Sequence, residues 1–405
     1  MKKELKKRKN KYIAHTLYLF LFILFFGGIF VEFFYTKHEN IIDLKIGMKE
    51  RAVSSVTQRS IETNPKYKNI AFEKVPEKNY FFGTNQIASV SNFIKNYSIF
   101  GYLTRPLREN NVENERGSWI WTPTRYLNNE YTDFILKNAK ERGINTIYLS
   151  IDSYLDVFVL PDGPLKNSMN NTFFENLENF VKKANQNGIE VDAEAGWKNW
   201  AEEGNEYKPF TILNFVKDYN EKSEHRFRGF QYDIEPYLLD EFETEKERIL
   251  TNFVALVDKT ENFLKGTDIR FSVVLPDFYD KKDGITPKFR YGGVNDYVIP
   301  HLVNILDERE NNSIIIMSYR NYAKGKDGSI EVTKNEMRTL RRIADNTKLI
   351  VAQETGDFPP PYITFHNKDR EYMYSQIKEL EKKFGENPNY GGIAIHYINS
   401  YLDMK

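Results

Sequence analysis

The sequence predicts an α/β protein: a (β/α)8 barrel of the TIM type over residues 117–405, preceded by an N-terminal transmembrane helix and a short stem. Three observations predict it. From Gly117 onward, short β-branched or aromatic runs alternate with amphipathic helical segments, which is the rhythm of βα units and a parallel sheet. Eight such runs fit between residues 117 and 403, close to the ~250 residues typical of this barrel. Finally, the polar side chains gather at the C-terminal ends of the runs, the end where barrels of this kind hold their sites.

The first strand is Ser118–Thr122, followed by a helix over Glu130–Arg142 that stops at Gly143. The second is Thr146–Ile151. The helix after it, Phe173–Asn187, repeats apolar residues at Phe173, Leu177, Phe180, Val181 and Ala184, the spacing of one buried face, and Gly188 closes it. The third strand is Ile189–Glu194, and the fourth lies in Arg228-Gly-Phe-Gln-Tyr-Asp-Ile-Glu-Pro-Tyr237. Ile269–Leu275, Ser313–Tyr319, Lys348–Gln353 and Gly392–Tyr397 complete the eight. An open doubly wound sheet is the rival, but no Gly-rich phosphate loop follows any strand.

Ahead of the barrel, residues 1–11 hold seven lysines and arginines and read as a cytoplasmic tail. Tyr12–Phe34 is almost wholly apolar, and about 20 such residues span a bilayer with the basic flank left inside. The expectation is a single-pass membrane protein whose C-terminal domain is extracytoplasmic. A cleaved signal peptide, with secretion, is the alternative. It is the weaker one, because its apolar core runs about 7–15 residues and ends in small side chains, whereas this run ends in Phe33-Phe-Tyr35. Residues 35–116 are polar and irregular and read as a stem or cap.

Composition removes several function classes. Lys+Arg and Asp+Glu balance at 57 each, so no global field attracts nucleic acid. No cysteine is present, which excludes disulfides, thiolate zinc sites and a cysteine nucleophile. The six histidines are scattered, so no metal site is predicted, and no organic cofactor is implied. No pattern specifies an oligomeric state.

The fourth strand is the most informative stretch. Side chains alternate along a strand, which puts Gln231, Asp233 and Glu235 on one face and Phe230, Tyr232 and Ile234 on the other. Burying such acids is costly unless they have a use. Pro236 ends the strand and leaves Glu235 at its C-terminal end. Around the same mouth the sequence places Asp152 after strand two, then Glu194 with Trp197 and Trp200 after strand three. Asp277 follows strand five, Tyr319 and Arg320 end strand six, Gln353 and Glu354 end strand seven, and His396 and Tyr397 end strand eight. Carboxyls ringed by flat aromatic faces suit a sugar, with acids for the glycosidic bond and rings for the C–H side of a pyranose. The structural alternative for Glu235 is a carboxylate paired with Arg228, with Arg320 or with a backbone donor.

Asp233-Ile-Glu235 resembles the end of the Asp-x-x-Asp-x-Asp-x-Glu signature of the family 18 (chitinase-like) glycoside hydrolases, TIM-barrel enzymes in which it also lies on strand four. Ser272-Val-Val-Leu-Pro276, Met317-Ser-Tyr319 and Gly391-Gly-Ile-Ala-Ile395 are similar to that family's later strands. The resemblance implies Glu235 as general acid, Asp233 as the residue that orients a substrate acetamido group, and Tyr319 as an assistant. It departs from the family at Gln231, where an aspartate is usual, at Arg320, where an acid is usual, and at His396 or Tyr397, where a tryptophan is usual. A second resemblance is to the large clan of retaining barrel glycosidases, through Glu235-Pro236 on strand four and Glu354-Thr-Gly356 on strand seven, which implies Glu354 as a nucleophile. Both routes make Glu235 the acid. The remaining residues, Asp152, Glu194, Trp197, Gln231, Asp277, Arg320, His396 and Tyr397, are expected to bind substrate. The expected substrate is a polysaccharide or amino-sugar glycan. The alternative function is a non-catalytic surface barrel that binds carbohydrate or acts as a scaffold.

Overall fold

The computed structural model describes residues 114–280 and 285–405. The tail, the apolar run 12–34 and all but the last three residues of the 35–116 stem lie outside the described residues. Among the described residues, no helix is long and apolar enough to cross a membrane.

The chain forms a closed barrel of eight parallel strands: β1 (Glu115–Ile120), β2 (Thr146–Ser150), β3 (Glu190–Ala195), β4 (Gly229–Tyr232), β5 (Arg270–Pro276), β8 (Ser313–Met317), β9 (Lys348–Glu354) and β10 (Tyr390–His396). Each pairs with its chain neighbour in the barrel, and β10 closes onto β1 with Glu115 opposite Gly392 and Ser118 opposite Ile395. The remaining pair, β6 (Phe289–Tyr291) and β7 (Val294–Asp296), forms an antiparallel hairpin after β5. The sequence reading did not include it, because two three-residue strands carry no usable periodicity. The helices are α1 (Asn129–Glu141), α2 (Tyr154–Phe158), α3 (Pro164–Gln186), α4 (Tyr207–Lys222), α5 (Phe242–Leu264), α6 (Val298–Leu306), α7 (Ser329–Ile343), α8 (Arg370–Phe384) and α9 (Ile398–Asp403).

The local reasons are ordinary. Asn128 caps α1 by accepting the Tyr131 N–H, and Gly143 and Gly188 follow α1 and α3 at φ 72° and 73°, the left-handed backbone that ends a helix cheaply only at glycine. Two helices follow β2 where the sequence showed one: the short α2, and then α3, which begins at Pro164, nine residues earlier than its apolar face, because proline suits a first helical turn.

Strand alternation sorts the side chains by layer. Ile147, Leu149, Val191, Ala193, Phe230, Tyr232, Phe271, Val273, Ile314, Ile316, Leu349 and Val351 face outward into the core shared with the helices. Trp119, Tyr148, Val274, Ile315, Ile350, Ala352 and Ala394 form a second apolar cluster on the opposite face, filling the barrel.

At the N-terminal strand ends, Arg228 donates to both oxygens of Asp192 at 2.8 and 2.5 Å, to Thr146 Oγ1 at 3.0 Å, and pairs with Glu115 at 2.9 Å. The Tyr148 hydroxyl also donates to Glu115. The sequence reading expected no polar set at this end. It arises because single charges from β1 and β3 meet the arginine entering β4, a convergence that no one stretch displays. Unlike the mouth, this set is internally paired.

Candidate active site

Regular β4 ends at Tyr232, so Asp233, Ile234 and Glu235 lie just past it and not within it as the sequence alternation implied. The alternation still holds in outcome: Ile234 is buried in the outer core, while Asp233 and Glu235 lie within electrostatic reach of His396 at the mouth. Pro236 opens a short turn, Pro236–Leu238, that brings the Tyr237 hydroxyl back to donate to Glu235 Oε1. Gly196, just after β3, makes this crossing possible. A Cβ there would overlap the backbone carbonyl of Asp233, so only glycine lets the two strand ends approach.

Four carboxyls from three strand ends act on one another here. Burial, then the charges of Asp156 and Asp233, push Asp152 up to about 8, although the Gly196 N–H donates to it. Burial, then Asp152 and Asp233, raises Glu194 well above the usual range, although Ser150 bonds it. Burial and Glu235 push Asp233 up to about 7, and His396 pulls it the other way. Burial raises Glu235 too, with the Tyr237 hydroxyl and His396 opposing. One oxygen of each of Asp152 (Oδ1), Glu194 (Oε2) and Asp233 (Oδ1) is buried without a hydrogen-bond partner. Neither arginine proposed as a structural partner for Glu235 reaches it. Arg228 is held at the other end of the barrel, and Arg320 is held by Asp327 at 3.0 and 3.1 Å and by Asp277 at 3.5 Å.

Glu354 differs from these acids. Its Oε1 accepts the Gly356 N–H at 2.5 Å and its Oε2 meets His396 Nδ1 at 2.6 Å. The Trp121 indole N–H donates to His396 Nε2 at 3.0 Å. An indole is a donor only, so this bond requires the tautomer with its proton on Nδ1, pointed at Glu354. Burial opposes a positive charge on His396, while Glu354, Asp233 and Glu235 outweigh it and raise its pKa. Tyr319 lies 6.0 Å from the His396 ring, and burial followed by the charges of Glu354, Asp233 and Glu235 raises its hydroxyl well above the usual range.

The structure thus brings Asp152, Glu194, Asp233, Glu235, Tyr319, Glu354 and His396 into one electrostatic group. Gln231 sits deeper, fully buried, with its amide accepting from the Trp119 indole at 2.7 Å and donating to Ser272 Oγ at 3.2 Å. Gln353 is likewise buried, bonded to Ser318 and Ser329. Asp277 and Arg320 form the separate ion pair described above. Trp197 is 47 % exposed, whereas Trp200 is buried against Tyr232, so the two do not share a face. Tyr397 packs on the inner apolar cluster, with its amide bonded to Ser400 at the start of α9.

Three residues of the site were absent from the sequence reading. Trp121 continues the inward alternation from Trp119, a period-two signal that was available. Tyr237 follows Glu235 by two residues but depends on the turn at Pro236. Tyr279, buried and within reach of the Glu235 charge, carries no local signal.

The fold and the acids at its mouth define a TIM-barrel protein with a carboxyl-lined site. Among solved structures it is similar to TIM-barrel glycoside hydrolases. The endo-1,4-beta-D-mannanase of Thermotoga petrophila RKU-1 is 14% identical, covering 70% of this chain and 88% of that one, with a TM-score of 0.47. A GH18 chitinase from Pseudoalteromonas aurantia is 13% identical over 70% of this chain and 93% of that one, at 0.44. The spore cortex-lytic enzyme SleL of Bacillus megaterium QM B1551 is 14% identical over 74% and 76%, at 0.42. The chain matches no protein-family model and no curated protein.

Proposed function

We propose that this chain is a membrane-tethered, extracytoplasmic glycoside hydrolase that acts on a polysaccharide or amino-sugar glycan, with Glu235 as general acid. The observation that carries the reading is the placement of Glu235 and Asp233. They stand two residues apart at the mouth of the barrel, each half-buried, and among the described residues no arginine neutralises either. Burial raises the Glu235 carboxyl above its usual range, the direction a general acid requires. The Tyr237 hydroxyl fixes the Glu235 carboxyl by its Oε1. The acid delivers its proton to the leaving glycosidic oxygen, and Asp233, with its free Oδ1, faces the positive charge that develops on the sugar.

Asp233 is favoured over Glu354 as the helper because both Glu354 oxygens are already engaged, by Gly356 and His396. In this reading Glu354 orients the imidazole, and the Tyr319 ring packs beside that of His396. The tether is the apolar run 12–34. Deleting residues 1–34 should move the protein from the membrane to the soluble fraction, and unchanged membrane recovery would reject the tether.

The test of the chemistry is turnover by the purified full chain, in detergent, of chitin, peptidoglycan and amino-sugar polymers. Glu235→Gln should lower the rate by roughly 100-fold or more, the usual contribution of a positioned acid. Undiminished turnover in that variant rejects the assignment. The exposed Trp197 supports a second reading, a carbohydrate-binding barrel without catalysis. Glycan binding that survives Glu235→Gln, weakens in Trp197→Ala and is never followed by cleavage would select it.

A further inference from the structure

A cleft of about 260 Å³ opens on the flank of the barrel between α2, α3 and α4. Five aromatic rings line it: Tyr154 and Phe158 from α2, Phe174 from α3, and Phe215 and Tyr219 from α4. The Tyr154 and Phe215 centroids are 4.2 Å apart, those of Phe174 and Phe215 5.3 Å, and those of Phe215 and Tyr219 6.3 Å, so the rings form one continuous wall. Phe174 stays 37 % exposed, while Phe215 and Tyr219 are buried. The Tyr219 hydroxyl is buried with no hydrogen-bond partner among the described residues, a state that calls for one. Ser223, which lines the same cleft, has its hydroxyl engaged by the His225 backbone at 2.9 and 3.2 Å. On the rim stand Glu178, Asp218 and Lys222, all exposed. None of the three is in an ion pair among the described residues.

We propose that this cleft binds an alkylammonium group, of the kind a lysine side chain or a free alkylamine carries. Two carboxylates against one lysine leave the rim net acidic. Helix α4 ends at Lys222, so the negative pole of a 16-residue helix lies at the same end of the cleft. Aromatic faces attract a cation through the ring quadrupole and also cover a hydrocarbon stem. An ammonium brings three N–H donors, which suits a phenol oxygen that lacks a partner. Other occupants fit worse. An apolar side chain would cover the rings and leave Glu178 and Asp218 unanswered. A carboxylate or phosphate would meet two like charges, and a sugar would bring hydroxyls without the positive charge. The site is independent of the glycan-cleaving reading, since none of the acids at the mouth lines it.

The experiment is a ligand-observed NMR titration of the purified full chain, in detergent and at low salt, with detergent alone as the blank. The probes are pentylamine, pentanol and pentanoate, which share one stem length and differ in charge. An exposed cation–π contact contributes about two- to five-fold in affinity, and an exposed ion pair up to about five-fold more. Pentylamine should therefore bind at least about five-fold tighter than pentanol, with pentanoate weakest. High salt should remove most of that lead, because exposed charges are screened. The double variant Glu178→Gln, Asp218→Asn should bring pentylamine to within about two-fold of pentanol. Phe174→Ala should weaken pentylamine by about two- to five-fold. A fourth probe, lysine blocked at both backbone ends, separates the sources: binding equal to that of pentylamine assigns the site to a peptide side chain, and binding of pentylamine alone assigns it to a free amine.

Equal or tighter binding of pentanol or pentanoate overturns the proposal. So does a lead for pentylamine that survives intact in the folded double variant, or an affinity unchanged by Phe174→Ala, since the amine would then sit elsewhere on the chain. All three substitutions fall at exposed positions, and the two variants report separately should either lack a thermal transition.

Discussion

Replacing Asp152 by asparagine should stabilise the protein, and only at high pH. In the folded chain this carboxyl holds its proton up to about 8, against 3.8 when exposed. The unfolded chain therefore loses the proton first, and stability falls as pH rises from about 4 to about 8. At about 1.36 kcal/mol per pH unit, ionising Asp152 in place costs at most on the order of 5 kcal/mol. Asparagine cannot ionise, and its side-chain oxygen can still accept the Gly196 N–H. Asp152 is only half-buried, so solvent screening discounts that upper figure. The expected gain is thus about 2 kcal/mol at pH 8.5, or roughly 4–8 °C in Tm for a domain approaching this size. At pH 3, below the unfolded value, folded and unfolded chains of both proteins carry an uncharged group there, and the gain should vanish. Thermal or urea unfolding of the two proteins in parallel across that range is the assay. A constant offset at both pH values, or a variant less stable at pH 8.5, would refute the reasoning that burial and neighbouring acids hold the proton.

Three further outcomes are expected. Arg228→Met leaves the buried Asp192 without the guanidinium that holds both its oxygens, and Glu115 with the Tyr148 hydroxyl but no arginine, so it should cost about 3–5 kcal/mol in urea unfolding; a loss under 1 kcal/mol would mean the network is not buried as described. Gly196→Ala places a methyl against the Asp233 carbonyl and should lower both Tm and glycan turnover, whereas a folded, fully active variant would contradict the close crossing of β3 and β4. Trp121→Phe removes the donor that favours the neutral form of His396, so the imidazole pKa followed by NMR should rise; an unchanged or lower value would break the proposed chain of hydrogen bonds.

Much of the barrel was legible because its signal is local. Strand starts and ends fall within a few residues of the apolar runs, and the outward faces of β4, β5, β8 and β9 alternate as their sequences do. What sequence could not separate was the fate of polar residues with similar spacing. Gln231 and Glu194 both point into the barrel. One meets Trp119 and Ser272 and is satisfied, and the other keeps an oxygen bare, because their partners come from different strands. Trp197 and Trp200 illustrate the same limit. Helical spacing puts them together, but Trp197 precedes the turn in extended backbone and only Trp200 folds inward. The Arg228 network was invisible for a related reason, since Glu115 and Arg228 are 113 positions apart and neither is notable alone.

The apolar plug of Trp119, Tyr148, Val274, Ile315, Ile350, Ala352 and Ala394 stands between the paired charges of one strand end and the bare acids of the other. It insulates the foundation from the workplace. Exchanges at the open rim leave the paired charges that anchor the staves untouched, so a new lip need not bring a new foundation with it.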